Sequence, residues 1–212
     1  MIGEDAALVG GLLELGRAGC QGNSQDFECW LRYLLRQPAP GADVSRTLDR
    51  LVAEGHFLSH PEYPGEYLIA GQPEFDIAIE YQVSGNLQDS PIQMVRSRLE
   101  RFLRFHRIAE EDVIDLTIAT TEAIENAVKY SDHTAINVFY ELRGGEFFIR
   151  IVNWMDEVIP EKDIESGKYS PATTLMRGMM VMVKLFDNVD LDISDERRQV
   201  IFSASRKLRP AA

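Results

Sequence analysis

One helical stretch, from Leu116 to Ser131, constrains the fold more than any other part of the sequence: LTIATTEAIENAVKYS. Its core face carries small residues such as Ala123 and Ala127, which allow a helix to lie close to a sheet. Glu122 and Asn126 are four residues apart, so their side chains lie on one face of the helix, one turn from each other. A carboxylate and a carboxamide in this arrangement can offer a base and a metal-coordinating oxygen to one ligand. The competing interpretation is an ordinary solvated helix face.

Alternating and helical patterns on both sides of this helix predict a sheet beside it. Along residues 73–212 the order is strand, helix, helix, strand, strand, long loop, helix, strand, strand. This order predicts an α+β fold, a two-layer α/β sandwich whose mixed, mostly antiparallel sheet has helices on one face. We expect strands at 75–83, 135–142, 146–152, 188–193 and 199–205, and helices at 91–106, from about 110, and in LMRGMMVMVKLFDNV, which is apolar enough to be well buried.

Residues 1–72 predict a separate, small helical domain. Three helices, at about 5–18, 24–36 and 43–54, precede two short extended segments, and Ser24 is the expected N-cap of the second helix. The stretch VSRTLDRLVAEGHFLSHPEYPGEYLIAG resembles the recognition helix and wing of winged-helix regulators. Arg46 and Arg50 lie four residues apart, in reach of a groove or phosphates. The region nevertheless holds ten acidic residues against five arginines, which favours an interaction or dimerisation module over a nucleic-acid binder.

The composition narrows the class of protein further. The chain of 212 residues has 34 acidic and 22 basic residues, and its formal net charge of −12 disfavours charge-driven binding to nucleic acid. No apolar run approaches the ~20 residues of a membrane span, and the N-terminus lacks the basic region of a signal peptide. Cys20 and Cys29 have no His cluster nearby and are expected to be free thiols. We therefore expect a cytoplasmic protein without a membrane partner.

The central helix also carries a family resemblance. TEAIENAVKYS resembles the N-box of the GHKL ATPase superfamily, which holds sensor histidine kinases, gyrase-like ATPases and anti-sigma-factor serine kinases. Glu122 stands where histidine kinases usually carry Asn, and this is similar to the anti-sigma kinases and the ATPases. The resemblance covers residues 75–208, about two thirds of the chain.

The resemblance implies roles for particular residues. Asn126 is implied as a ligand of Mg²⁺ that bridges the phosphates of ATP, and Glu122 as the general base towards a protein hydroxyl or a water. Lys129 is implied as a phosphate partner. The long loop that begins NWMDEV is implied as an ATP lid. Gly178, beside Arg177, is implied as the phosphate-binding glycine at the start of the next helix.

The chain departs from the family at its glycine motifs. The adenine-recognising Asp-x-Gly-x-Gly is absent: its Asp position falls on Trp154 and its glycines on Asp156 and Val158. Asn153 and Asp156 are the two alternatives for the adenine contact. The second glycine box is reduced to Gly178. The phosphate and metal end of the implied site is therefore retained, and the adenine end is altered.

Three functions remain open from the sequence. The first is an ATP- and Mg²⁺-dependent protein-serine kinase of bacterial signalling that also binds a protein partner, a sigma factor or a STAS-type anti-anti-sigma protein, as a homodimer. The second is a non-catalytic module with the same fold and a decayed nucleotide site. The third is a winged-helix transcription regulator with a sensor domain.

Overall fold

The computed structural model describes residues 2–61, 64–71, 75–83, 91–155, 180–194 and 196–209. Within these ranges the chain forms two compact units. The first contains residues 1–75 and 88–107, and the second contains residues 76–87 and 108–212. The domain boundary between residues 72 and 73 stays a prediction, and the structure groups the helix after residue 90 with the N-terminal unit.

The first unit has the predicted order of three helices followed by two strands. These are α1 (Ile2–Arg17), α2 (Ser24–Leu34), α3 (Gly41–Ala53), β1 (Phe57–Ser59) and β2 (Tyr67–Ile69), and the two strands pair antiparallel. The side chain of Asn23, rather than Ser24, caps α2 by accepting the N–H groups of Gln25 and Asp26. In turn, the Asp26 carboxylate accepts a hydrogen bond from the Asn23 N–H, which completes a capping box. The likeness to a winged helix stays a prediction.

The arginines considered for nucleic-acid contact are ion-paired within this unit. Arg50 donates two hydrogen bonds of 3.0 Å to the carboxylate of Asp5, and Arg46 donates one of 2.6 Å to Asp43. Hydrogen bonding to Arg50 holds the pKa of Asp5 below its ordinary value. With the pair of Arg32 and Glu28, at least three of the five arginines in the N-terminal region are therefore ion-paired with nearby carboxylates.

Helix α4 (Pro91–Phe105) completes the first unit. Its Ser97 hydroxyl accepts the Gln21 N–H at 2.6 Å and donates to the Gln21 carbonyl at 2.8 Å. Phe75 packs edge-on against Phe102 and Phe105, with ring centres 6.0 and 5.5 Å away. The prediction that Phe75 begins a strand is therefore wrong, because its ring is held in this aromatic cluster.

The second unit contains a five-stranded antiparallel sheet in the order β3-β4-β5-β7-β6. Its strands are β3 (Ala78–Val83), β4 (Ile136–Arg143), β5 (Glu146–Trp154), β6 (Asn188–Ser194) and β7 (Gln199–Lys207). Gly144 and Gly145 join β4 to β5 with φ of 61° and 78°, as the predicted tight hairpin requires. Tyr81, Val138, Ile151 and Phe202 form one buried row across four neighbouring strands. The α+β fold with an antiparallel sheet is thus confirmed.

Helix α5 (Glu110–Lys129) packs on the buried face of this sheet. Its predicted core face is confirmed, because Val113, Leu116, Thr120, Ala123 and Ala127 are all buried. Small side chains at the last two positions allow the close approach that the sequence predicts.

A buried ion-pair network fixes the beginning of α5. Arg206 of β7 donates hydrogen bonds of 2.9 Å to Asp112 and 2.7 Å to Asp115, and a third of 3.0 Å to the Leu185 carbonyl. Asp112 has no exposed side-chain surface, and its carboxylate also accepts the Arg209 N–H at 2.8 Å. The network therefore joins the start of α5, the end of β7 and the helical residues 180–185.

The helix at residues 180–185 differs from its prediction. Met182 is 2% exposed, but Met180 and Val183 are 69% and 61% exposed. The apolar composition of this stretch does not bury it on all sides, because the sheet covers only one side of a helix in a two-layer fold. Within the ranges that the structure covers, no helix has both the length and the apolar character needed to cross a membrane.

Candidate functional site

The carboxyl-terminal half of α5 carries three of the predicted site residues on one stripe. Glu122 and Asn126 are half-buried, and Lys129, one turn further on, is exposed. The Lys129 ammonium lies 5.3 Å from the centre of the Tyr130 ring, in cation–π contact. The stripe therefore presents a carboxylate, a carboxamide and a cation on the same side of the helix.

A short turn ties the carboxyl end of α5 to the carboxyl end of β5. Tyr130 ends the helix, and its N–H donates to the Asn126 carbonyl at 3.1 Å. The Asp132 N–H then donates to the Trp154 carbonyl at 2.8 Å, and the Asp132 carboxylate accepts the Thr134 N–H at 2.9 Å. The helix and the strand therefore end side by side.

The lengths of α5 and β5 place Asn126 and Asn153 at similar distances from the ends at which these two elements begin. Arg206 lies opposite Phe147 at the start of β5 and is hydrogen-bonded to Asp112 at the start of α5. From Phe147 to Asn153 the strand covers about 20 Å at about 3.3 Å per residue. At about 1.5 Å per residue, the same length of helix runs from Asp112 to about residue 125. The two asparagines therefore lie at the same end of the helix–sheet interface.

Asn153 faces the helix layer. It follows Ile149 and Ile151 in the alternation of β5, and these three side chains are 2%, 0% and 3% exposed. Its partner across β7 is Val200. The side chain of Asn153 is therefore the polar group at the end of an otherwise apolar face of β5, on the side of the sheet that α5 covers.

Trp154 lies on the opposite face of the sheet. There it lines a separate cavity of about 250 Å³ together with Phe139, Arg150 and Val152. The Arg150 guanidinium lies 5.6 Å from the Phe139 ring centre. The position that counting equates with the family's Asp therefore points away from α5.

Three buried polar atoms at this end of the interface lack a hydrogen-bond partner among the described residues. They are the amide nitrogens of Asn126 and Asn153 and the hydroxyl of Tyr130. Thr117 and Thr120, earlier on α5, carry buried hydroxyls of the same kind. A buried polar group without a partner costs about 1–3 kcal/mol, so native proteins rarely keep several in one place unless a ligand or water satisfies them. This end of the interface therefore has the properties of a ligand site.

The sequence reasoning did not identify Glu125, which stands three residues after Glu122. Desolvation raises the pKa of the Glu125 carboxyl, although the residue is exposed, and the charge of Glu122 raises it further. The spacing of three, which places two side chains on adjacent helix positions, was the signal available in the sequence. Two carboxylates therefore lie next to each other at this end of α5.

The donor atoms present fit Mg²⁺ bound together with phosphates. Within the described ranges, no group of three or more His, Cys, Asp or Glu side chains is placed to hold a metal ion. Asn126 and Glu122 offer oxygen atoms, which Mg²⁺ prefers, and Mg²⁺ commonly completes its coordination with waters and substrate phosphates. The site therefore fits a nucleotide-bound Mg²⁺.

The remaining predicted residues, Asp156, Arg177 and Gly178, lie outside the described residues. Their roles in binding adenine and phosphate stay predictions. The residues that the structure does bring to one end of α5 and β5 are Glu122, Asn126, Lys129 and Asn153.

Comparison with known protein families finds a match to this part of the chain. A family model described as a histidine kinase-like ATPase domain matches residues 87–204, which is more than half of the chain. No curated protein matches the sequence. The matched range contains α4, α5 and the sheet strands β4 and β5, and therefore all of the candidate site residues.

Proposed function

The chain belongs to the histidine kinase-like ATPase family, and on that premise we propose that it binds ATP with Mg²⁺ and regulates a protein partner. The observation that carries the proposal is the pair of buried amide nitrogens, of Asn126 and Asn153, that lack a partner among the described residues where α5 and β5 end together. A family of ATPases supplies the class of ligand that such a site would take.

Asn126 and Lys129 serve the phosphate end of the proposed site. The Asn126 side-chain oxygen is a Mg²⁺ ligand, and the exposed Lys129 ammonium is a point charge for a phosphate. When bound, Mg²⁺ supplies neutralisation of the charge on the phosphates. The fixed backbone of α5 keeps the two side chains one turn apart.

Glu122 is the proposed general base. Its half-buried carboxylate, one turn before Asn126, accepts the proton of a serine hydroxyl on a protein partner, or of a water, as the oxygen attacks the terminal phosphate. The proton moves to a carboxylate oxygen, and the terminal phosphoryl group moves from the leaving ADP to the attacking oxygen. Transfer to a protein serine makes the chain an anti-sigma-type kinase, and transfer to water makes it an ATPase.

We further propose that the partner is a sigma factor or a STAS-type anti-anti-sigma protein, and that the chain acts as a homodimer. Glu122 in the N-box supports the anti-sigma kinases, together with the ATPases, over the histidine kinases, which usually carry Asn there.

A non-catalytic binding module is the second candidate. The observation that favours it is Glu125, whose carboxylate lies near that of Glu122 and adds negative charge beside the place where phosphates would bind. In that case the fold would bind its partner without turning over nucleotide.

Calorimetric titration with MgATP separates these candidates. Wild type should release or absorb heat on binding, and Asn126→Ala should weaken Mg²⁺-dependent binding by about tenfold or more. Glu122→Gln should keep binding and lose phosphotransfer by about a hundredfold or more. Absence of binding to wild type at millimolar nucleotide would refute nucleotide binding, and phosphotransfer retained in Glu122→Gln would remove Glu122 as the base.

Regulation of transcription through the N-terminal unit remains the third candidate. The ion pairs of Arg46 with Asp43 and of Arg50 with Asp5 lower the charge available for phosphates. We expect no shift of labelled duplex DNA at physiological salt, and a shift that persists there would support this candidate.

A further inference from the structure

We propose that the first unit binds a small carboxylate with an apolar body, in a cleft between α1, α3 and the loop that joins α2 to α3. Arg36 is the proposed anchor of the carboxylate. The cleft has a volume of about 900 Å³, and small-molecule sites commonly have about 300–1,000 Å³. Its described lining residues all lie between residues 5 and 50, so the proposal is independent of nucleotide binding by the second unit.

Contacts between the walls of the cleft fix its shape. Asp5 of α1 is joined to Arg50 of α3 by two hydrogen bonds of 3.0 Å. In the loop, the Gln37 N–H donates to the Leu31 carbonyl of α2 at 3.0 Å. A Cβ at Gly11 of α1 would lie 2.7 Å from side-chain atoms of both Gln37 and Leu31, so α1 approaches the loop closely here. The walls are therefore tied to one another without a ligand, as is usual for small-molecule sites.

The charged side chains that line the cleft leave one positive charge uncompensated. Among the described residues, three arginines line it against two aspartates. Arg50 is paired with Asp5 and Arg46 with Asp43. The exposed Arg36 has no ion pair with any described residue. A single free guanidinium complements a singly charged carboxylate, which it can hold through two parallel hydrogen bonds. A doubly charged phosphate would bring a second negative charge close to the two aspartates.

The uncharged part of the lining is mainly apolar. Its apolar members come from α1 and from the loop: Ala7, Leu8, Pro38, Ala39 and Pro40. The two prolines have a fixed φ and no backbone N–H, so they give the loop a stiff surface with few donors. A ligand with an apolar body gains free energy by covering this surface, whereas a small bare anion does not.

The backbone at Arg36 places this cation where a helix end favours glycine. Arg36 follows Leu35, the C-cap of α2, and has a φ of 54°. Glycine adopts this left-handed conformation at helix ends without steric cost, and arginine does not. The retention of a large cationic side chain at such a position supports a function for it.

The test is a ligand-observed NMR titration of the full chain with octanoate, 1-octanol and acetate. Octanoate should bind wild type with a dissociation constant of about 1 mM or lower. The alcohol lacks the charge and acetate lacks the apolar body, so each should bind about tenfold more weakly or worse.

Two variants and a matched control locate the site. Arg36→Gly should weaken octanoate binding by about tenfold or more without lowering the midpoint of thermal unfolding, because glycine suits a φ of 54°. Ala7→Trp, at an exposed lining residue, occupies part of the cleft and should weaken binding to a similar extent with no change in charge. Arg32→Ala removes an arginine that is paired with Glu28 and should leave binding unchanged.

The outcomes are decisive for the cleft and separate from those of the nucleotide site. Failure of octanoate to bind wild type at about 10 mM would overturn the proposal. Equal affinity for octanoate and 1-octanol, or equal octanoate affinity in wild type and Arg36→Gly, would overturn it as well. A chain that binds octanoate but not MgATP would refute only the proposed function, and the reverse result would refute only this inference.

Discussion

Replacing Asn153 by Leu should stabilise the ligand-free protein, although the substitution removes a hydrogen-bonding group. The Asn153 side chain is 3% exposed, and its nitrogen is buried without a partner among the described residues. A leucine side chain is similar in size and continues the apolar face formed by Ile149 and Ile151. The substitution therefore removes the desolvation penalty of the amide nitrogen.

The size of the effect follows from the burial of this amide. Relief of one buried, unpaired polar group amounts to about 1–3 kcal/mol in the free energy of unfolding. For a protein of about 200 residues, each kcal/mol corresponds to about 2–4 °C in the midpoint of thermal unfolding. We therefore expect the midpoint to rise by about 2–12 °C, while nucleotide binding is lost.

Differential scanning calorimetry without nucleotide measures this shift. The matched control is Asn188→Leu, because the Asn188 amide donates to the Ser205 hydroxyl at 3.1 Å on the same sheet. The control removes a formed bond and should lower the midpoint or leave it unchanged. A midpoint that falls by several degrees in Asn153→Leu would show that the amide has a structural partner, and the argument for a ligand site at this position would fail.

Two further predictions concern charged groups of the second unit. In urea titrations Arg206→Ala should lower the free energy of unfolding by about 3–5 kcal/mol, because the buried Asp112 loses its hydrogen-bonded guanidinium and keeps only the Arg209 Nε, 3.6 Å away, as a cation. Arg209→Ala, at a half-exposed side chain, should change it by less than about 1 kcal/mol, and equal effects would contradict the network. Because the pKa of Glu125 is raised in the folded chain, its carboxyl stays protonated to a higher pH there than in the unfolded chain. The free energy of unfolding therefore falls as the pH rises from 4.5 through the folded pKa. Glu125→Gln should therefore raise the thermal midpoint near neutral pH and leave it unchanged below pH 4.5, and a midpoint lowered at neutral pH would refute the reasoning.

The central helix and its hairpin could be predicted from the sequence because their signals are local. The helical period from Val113 to Ala127 is long and regular, and it gave the buried face of α5 correctly. Gly144 and Gly145 mark a turn that needs positive φ at both positions.

Two features could not be predicted from the sequence, one because it depends on contacts distant in the chain and one because it depends on an offset of one residue. Phe75 continues the alternation of β3, yet an aromatic cluster with Phe102 and Phe105 holds it in the first unit. The capping role of Asn23 rather than Ser24 depends on one residue of offset, which pattern alone rarely resolves.

The orientation of Asn153 illustrates the same limit within the site. Counting along a motif identifies a position but does not say on which face of the sheet its side chain lies. Ile149 and Ile151 are buried, and Asn153 follows them in the alternation of β5, so its side chain lies on the same face. The raised pKa of Glu125 beside Glu122 likewise depends on the surroundings of α5.

The backbone hydrogen bond between Asp132 and Trp154 joins the end of α5 to the end of β5. Asn153 belongs to the strand, whereas Glu122 and Asn126 belong to the helix. A substitution that disturbs this turn would therefore displace the strand amide from the helix side chains, although it changes none of them.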